Sequence, residues 1–90
     1  MSNWERYIKD FVSYLKIEKG LAENSILAYQ NDVDKLKGFA AIDSKSPNQL
    51  SYEDLKQFIA TLFDLGLSAR SQARIISGIK QFYGFLLLEN

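Results

Sequence analysis

Cysteine and histidine are both absent from this sequence of 90 residues. Without cysteine there can be no disulfide and no thiolate zinc site, and a chain without disulfides fits a reducing compartment. Without histidine the chain lacks the commonest general base and the usual nitrogen ligand of transition metals. We therefore expect no metal, no cofactor and no small-molecule substrate.

Other patterns typical of active sites are missing as well. The five glycines are scattered along the chain and form no phosphate-binding loop. Asp32 and Asp34 are two positions apart on a predicted helix, so they point in different directions and cannot act as a carboxylate pair. We identify no base placed to activate any of the five tyrosines as a nucleophile. We expect that this chain, by itself, is not an enzyme.

Long apolar runs and net charge are also lacking. No run approaches the roughly 20 residues needed to span a bilayer, and the N-terminus has no signal pattern, so we expect a cytoplasmic protein without membrane contact. The 11 basic and 11 acidic residues cancel, which argues against nucleic-acid binding by bulk charge but leaves local charge open. An apolar content of 47% is enough for the core of one small domain.

Apolar residues recur at helical spacing in four stretches of the chain. Ser2 and Glu5 have the spacing of a capping box before the first helix, Gly20 ends that helix, and Ser51 is a suitable N-cap for the third. The longest connection, residues 42–50, holds the only proline and lets the last two helices pack across the first pair. We predict an all-α, compact four-helix domain, with helices over about 3–19, 23–40, 52–65 and 69–89.

The second and last helices each carry a polar strip opposite their apolar face. Serine and arginine in the first turn of the last helix can offer a phosphate backbone N–H groups, a hydroxyl and a guanidinium. Arg74, one turn on, can reach a phosphate or the edge of a guanine. The alternative is that both strips are solvated faces, as on any amphipathic helix. In each strip, successive residues are four, three and four positions apart. The strip of the second helix is Asn24, Ala28, Asn31 and Lys35, and the strip of the last helix is Arg70, Arg74, Ser77 and Gln81.

Two segments of the chain carry recognisable motifs. Residues 20–33, GLAENSILAYQNDV, look like L-S-x-N-T-x-x-x-Y-x-x-D-L, and residues 67–87, LSARSQARIISGIKQFYGFLL, resemble S-x-x-S-x-x-R-x-L-S-A-L-R-x-F-Y-x-F-L. Both patterns are segments of tyrosine recombinases. The opening W-x-x-Y-I-x-x-F-x-x-Y-L, the Pro47 loop and residues 50–58 also fit. Over nearly its whole length the chain resembles the N-terminal core-binding, SAM-like domain of the phage-integrase family, most like the Xer branch.

The resemblance implies a DNA-binding module whose second and fourth helices face the major groove of a double-stranded recombination site. A separate C-terminal catalytic domain, expected outside residues 1–90, would close on the other side of the DNA as a C-shaped clamp. That domain carries the family's nucleophilic tyrosine and performs strand cleavage and exchange, and other recombinase protomers complete a synaptic complex. The ten implied contact residues are Asn24, Ser25, Ala28, Asn31 and Lys35 on the second helix, and Arg70, Ser71, Arg74, Ser77 and Lys80 on the fourth, with Gln81 as the alternative to Lys80.

Two departures from the family pattern bear on affinity. Ala22 stands where the family often has a capping serine or threonine, which weakens the start of the second helix by about 1 kcal/mol. Gln30 and Asn31 stand where basic residues are common, so we expect weak DNA binding by this domain alone. Chromosome-dimer resolution and mobile-element integration or excision both stay open as roles. The competing class is a small helical protein-interaction domain.

The end of the last helix loses its two-sided pattern. After Tyr83, the residues Phe85 and Leu88 fall on the polar side of the helical wheel. A small domain is not expected to leave so apolar a helix end exposed without reason. Leu86 stays on the apolar side. We expect the apolar residues left exposed at this helix end to pack near the linker and catalytic domain or a neighbouring protomer, and the end to fray or self-associate in the isolated chain.

Overall fold

The computed structural model describes residues 3–89 of the chain. Within that range the backbone forms four α-helices and one short 3₁₀ turn, and no strand. The predicted all-α, four-helix domain is therefore confirmed. In this part of the chain, no helix has the length and apolar character needed to cross a membrane. The helices are α1 (Asn3–Ile17), α2 (Glu23–Ala41), α3 (Tyr52–Asp64) and α4 (Ala69–Glu89), and the 3₁₀ turn is Pro47–Gln49.

The first helix ends two residues earlier than predicted. After Ile17, the N–H groups of Glu18 and Lys19 both donate to the carbonyl of Tyr14, at 2.9 and 3.2 Å, which closes the helix with a turn. Gly20 then takes φ +61°, in the left-handed region that glycine enters without the steric cost of a Cβ. The chain can therefore reverse direction between α1 and α2.

The starts of the helices differ in how they are capped. Ser51 caps α3 as predicted: its Oγ accepts from the Asp54 N–H at 3.1 Å, and the Asp54 carboxylate accepts from the Ser51 N–H at 3.0 Å. Ala22, at the N-cap of α2, has the extended backbone of a cap but no side chain that could accept a hydrogen bond. The capping box predicted for Ser2 and Glu5 lies outside the described residues, because Ser2 precedes them.

α4 is the central helix of the domain, since it packs against α1, α2 and α3. Its fully buried Phe82 stacks on Trp4 at a centroid distance of 6.0 Å and meets Phe11 edge-on at 5.3 Å. Such aromatic pairs add about 0.5–1.5 kcal/mol each beyond the area that they bury. The core comprises Trp4, Ile8, Phe11 and Leu15 of α1, Ile26, Val33, Leu36 and Ala40 of α2, Phe58 and Leu62 of α3, and Ile75, Ile79, Phe82, Phe85 and Leu86 of α4.

The prediction for the last turns of α4 was wrong for Phe85, which the helical wheel placed on the polar side. Phe85 is only 4% exposed, with its ring centroid 5.7 Å from that of Phe11 and 4.9 Å from that of Tyr14. Helix α1 packs across the last turns of α4. There it covers the side of α4 that is exposed to solvent in the first turns of α4. The buried arc therefore widens toward the end of α4. Leu87 and Leu88 are exposed, as expected.

Hydrogen bonds fix the long connection between α2 and α3. The Trp4 indole N–H donates to the Lys45 carbonyl at 2.7 Å, and the Tyr83 hydroxyl donates to the Pro47 carbonyl at 2.9 Å. Burial of the hydroxyl raises the pKa of Tyr83 to about 12. The Lys45 ammonium also lies 2.8 Å from the Asp54 carboxylate. These contacts join the connection to α1, α3 and α4, and so set the relative placement of the helices.

Candidate nucleic-acid interface

The two predicted polar strips lie side by side, because α2 packs against α4. Between the helices runs a shallow groove that opens to solvent. Four of the ten predicted contact residues line it, and so do two residues that the sequence reasoning did not select. The predicted four are Ser25, Ala28, Arg74 and Ser77, and the other two are Tyr29 and Asp32.

Close approach of the two helices depends on Gly78. This residue is buried in α4 and faces Asp32 of α2. A Cβ built at position 78 would lie 3.0 Å from the Asp32 Cβ and 3.1 Å from its Cγ, and closer still to Oδ2. Real Cβ atoms tolerate contacts this short only if a neighbour moves. Glycine at this position therefore makes room for the Asp32 carboxylate beneath the groove.

Arg74 and Asp32 form an ion pair that joins α4 to α2. The Nη1 atom of Arg74 lies 3.1 Å from Oδ1 and 3.2 Å from Oδ2 of Asp32. The two side chains differ sharply in exposure, because Asp32 is 1% exposed and Arg74 is 53% exposed. The carboxylate is thus a buried anchor, and the guanidinium extends from it into the groove.

Burial dominates the electrostatics of Asp32. Desolvation raises the pKa of its carboxyl above the ordinary value, and this effect outweighs the opposing influence of the Arg74 guanidinium and the Lys35 ammonium. The Oδ1 atom is buried and makes no hydrogen bond within residues 3–89. A buried carboxylate with a single nitrogen partner is costly to hold in ionised form.

The other six predicted contact residues do not line the groove. Five of them are exposed and make no side-chain hydrogen bond or ion pair with any other described residue. Ser71 differs, because it is half-buried and its backbone N–H donates to the Ser68 Oγ at 3.1 Å. That N–H is therefore already satisfied within the helix start. The five exposed residues are Asn24, Asn31, Lys35, Arg70 and Lys80.

The sequence reasoning missed Asp32 because it compared this residue only with Asp34. Asp34 is exposed and lines a different recess, which it shares with residues of α1. The spacing of Asp32 from the apolar residues of α2 could have identified it. Asp32 follows Tyr29 by three positions and precedes Leu36 by four, so it lies at the edge of the apolar stripe of α2. An acid at such a position needs a cation nearby, and Arg74 meets that need.

The fold and this surface define a small helical module with one polar face, which is built from two helices and carries four cations. Residues 8–90 match a family model described as "Phage integrase, N-terminal SAM-like domain". The chain belongs to this family, which confirms the resemblance drawn from its motifs.

Three relatives that match the chain are tyrosine recombinases named XerC or XerD. Tyrosine recombinase XerD of Chlorobaculum tepidum is 33% identical over 86 residues, which is 96% of this chain and 28% of the relative. Tyrosine recombinase XerC of Bacillus subtilis is 30% identical over 90 residues, covering 99% of this chain and 30% of the relative. Tyrosine recombinase XerC of Oceanobacillus iheyensis is 36% identical over 87 residues, which is 96% of this chain and 28% of the relative. No solved structure matches the chain. The chain thus spans less than a third of the length of these relatives.

Proposed function

We propose that this chain is the DNA-binding module of a site-specific tyrosine recombinase, and that the α2–α4 face lies against the major groove at the recombination site. The observation that carries the proposal is the meeting of two separately predicted polar strips on one face. The family of the chain and the names of its relatives supply the context of recombination.

The charges on this face suit a polyanion, although the net charge of the chain is zero. The ten proposed contact residues include four cations and no acid. Phosphate contacts fix the position and orientation of a protein on DNA, whereas side chains that reach base edges specify the sequence. Exposed Lys35, Arg70 and Lys80 suit the first role, and Arg74 in the groove suits the second. Few cations are available, so the expected affinity is modest and strongly salt-dependent.

The rest of the recombinase would complete the grip. The matched relatives are more than three times as long as this chain. We assign the remaining length to a catalytic domain that closes on the opposite side of the DNA and carries out strand cleavage and exchange. Residues 1–90 would then be the half of the clamp that binds but does not cut. Chromosome-dimer resolution and mobile-element integration or excision are both compatible with this assignment.

The exposed apolar end of α4 is proposed to meet protein. Leu87 and Leu88 are 76% and 71% exposed, and Ile17, at the end of α1, is 77% exposed. Ile17 and the buried Phe85 line the same recess, so the ends of α1 and α4 lie near each other. Their proposed partner is the catalytic domain or a neighbouring recombinase protomer.

Duplex binding measured by fluorescence anisotropy at 50 and 200 mM salt tests the proposal. The double variant Arg70→Gln and Arg74→Gln should bind at least about tenfold more weakly at low salt, and should lose about one unit of the log–log salt slope, from the phosphate contact of Arg70. The matched control is Lys9→Gln with Lys16→Gln, which removes the same charge from exposed positions of α1.

Equal losses from the two double variants would mean that binding follows total charge, and the α2–α4 face would not be the DNA surface. If the unmodified chain bound no duplex even at 50 mM salt, the competing protein-interaction class would be favoured. The exposed apolar residues of α3, Ile59 and Phe63, would then be the first surface to examine.

A further inference from the structure

The Asp32–Arg74 pair leaves one edge of the guanidinium free. Only Nη1 of Arg74 contacts the carboxylate. The Nε and Nη2 atoms make no hydrogen bond or ion pair with any residue from 3 to 89, and 53% of the side chain is exposed. Arginine presents its N–H groups in a rigid, planar fork. A guanidinium held at one nitrogen therefore points its remaining donors in a defined direction.

Folding stability does not account for this arrangement. A buried carboxylate that is paired through one nitrogen is often no more stabilising than an apolar side chain of similar volume. Here the Oδ1 atom also makes no hydrogen bond within the described residues, and α4 has a glycine where a Cβ would strike the carboxylate. A buried polar atom without a hydrogen bond calls for an explanation beyond packing. A role for the carboxylate as an anchor that holds Arg74 at the groove is such an explanation.

We propose that Asp32 is a positioning residue, which holds Arg74 so that its free Nε and Nη2 donors read a guanine in the major groove. This inference rests on the function proposed above. The carboxylate offsets the charge of Arg74, so the pair contributes little to the general attraction of phosphates. What remains is a directed pair of donors, which matches the O6 and N7 acceptors of guanine. Asp32 itself does not touch the DNA.

Selection from a pool of duplexes with 20 randomised base pairs tests the inference. The unmodified chain should enrich sites with a guanine at one fixed position, and discriminate against other bases there by about tenfold. Asp32→Asn keeps the shape of the side chain but releases the guanidinium, so the enrichment ratio of guanine over other bases should fall to about one. The log–log salt slope on a fixed duplex should become steeper by up to about one unit, which corresponds to one added phosphate contact.

Two further variants separate positioning from charge and from folding. Asp34→Asn removes the same charge from an exposed position of α2 outside the groove, and should leave the guanine preference unchanged. Arg74→Lys keeps the cation but not the fork, so it should bind with nearly the same salt slope and without the guanine preference. Because Arg74→Lys keeps a cation beside the buried carboxylate, it can still refute the inference, by keeping the guanine preference, even if Asp32→Asn fails to fold.

The outcomes distinguish this inference from the proposed function. If no duplex in the pool is bound at 50 mM salt, both are overturned. The inference alone fails if the unmodified chain binds without a guanine preference. It also fails if Asp34→Asn removes the preference as fully as Asp32→Asn, or if either Asp32→Asn or Arg74→Lys folds and keeps the preference within about twofold of the unmodified chain.

Discussion

Replacing Gly78 with alanine should destabilise the domain, although alanine is the better helix former. The added Cβ would lie 3.0 Å from the Cβ and 3.1 Å from the Cγ of Asp32, a side chain that is almost wholly buried and has little room to move. Overpacking of this kind costs about 1–3 kcal/mol. The gain in helix propensity returns about 1 kcal/mol, so the expected net loss in free energy of unfolding is up to about 2 kcal/mol.

Gly84→Ala is the matched control, because Gly84 lies in the same helix and has nothing within 4 Å of an added Cβ. This variant should be more stable than the unmodified chain by roughly 0.5–1 kcal/mol. Urea unfolding followed by circular dichroism measures both, and in a domain of this size each kcal/mol corresponds to about 4–8 °C in Tm. If Gly78→Ala stabilises the chain as much as Gly84→Ala does, the close approach of α4 to Asp32 is refuted.

Three further predictions concern capping and titration, and each is measured by urea or thermal unfolding. Ala22→Ser should raise the free energy of unfolding by about 1 kcal/mol, because the backbone at this N-cap is already extended and lacks only a side-chain acceptor. No increase would mean that the first N–H groups of α2 already have other hydrogen-bond partners. Tyr83→Phe should lower the free energy of unfolding by about 1 kcal/mol, since the Pro47 carbonyl loses its hydrogen-bond donor. Because the pKa of Tyr83 is raised from 10.0 to about 12 in the folded chain, stability present below pH 10 should be lost as the pH rises through 12, and Tyr83→Phe should lack this loss. Asp54 and Asp32 should act in opposite directions in acid. The pKa of Asp54 is lowered, chiefly by its bond to a lysine ammonium, so its contribution is present above about pH 4 and is lost as the pH falls through the folded pKa. The pKa of Asp32 is raised by burial, so its contribution declines as the pH rises from 3.8 through the folded pKa, and Asp32→Asn should be at least as stable as the unmodified chain at pH 7. Identical pH profiles for the unmodified chain, Asp54→Asn and Asp32→Asn would contradict both assignments.

The helices were predictable because local signals agree with the fold along most of the chain. Apolar stripes at helical spacing, a serine before α3 and a glycine after α1 act within a few residues of one another, so sequence reasoning can read them. The observed ends of the helices differ from the predicted ends by no more than two residues. The 3₁₀ turn over Pro47–Gln49 was predicted only as part of a loop.

Tertiary packing decided the features that the sequence reasoning missed. Phe85 is buried because α1 crosses the end of α4, and a helical wheel of α4 alone contains no information about that crossing. Asp32 is buried because α4 approaches α2 at Gly78, two segments more than 40 positions apart in the sequence. The polar strips were found from period alone, but their meeting in one groove became visible only in three dimensions.

Backbone amide chemical shifts during titration with duplex DNA test the central claim most directly, because they report which face of the domain meets the ligand. At low salt we expect the largest changes in residues 24–35 of α2 and 70–80 of α4, with small changes on the outer faces of α1 and α3. Raising the salt should reverse them. Changes concentrated on α3 around Ile59 and Phe63, or none at any salt concentration, would contradict the assignment of the α2–α4 face to DNA.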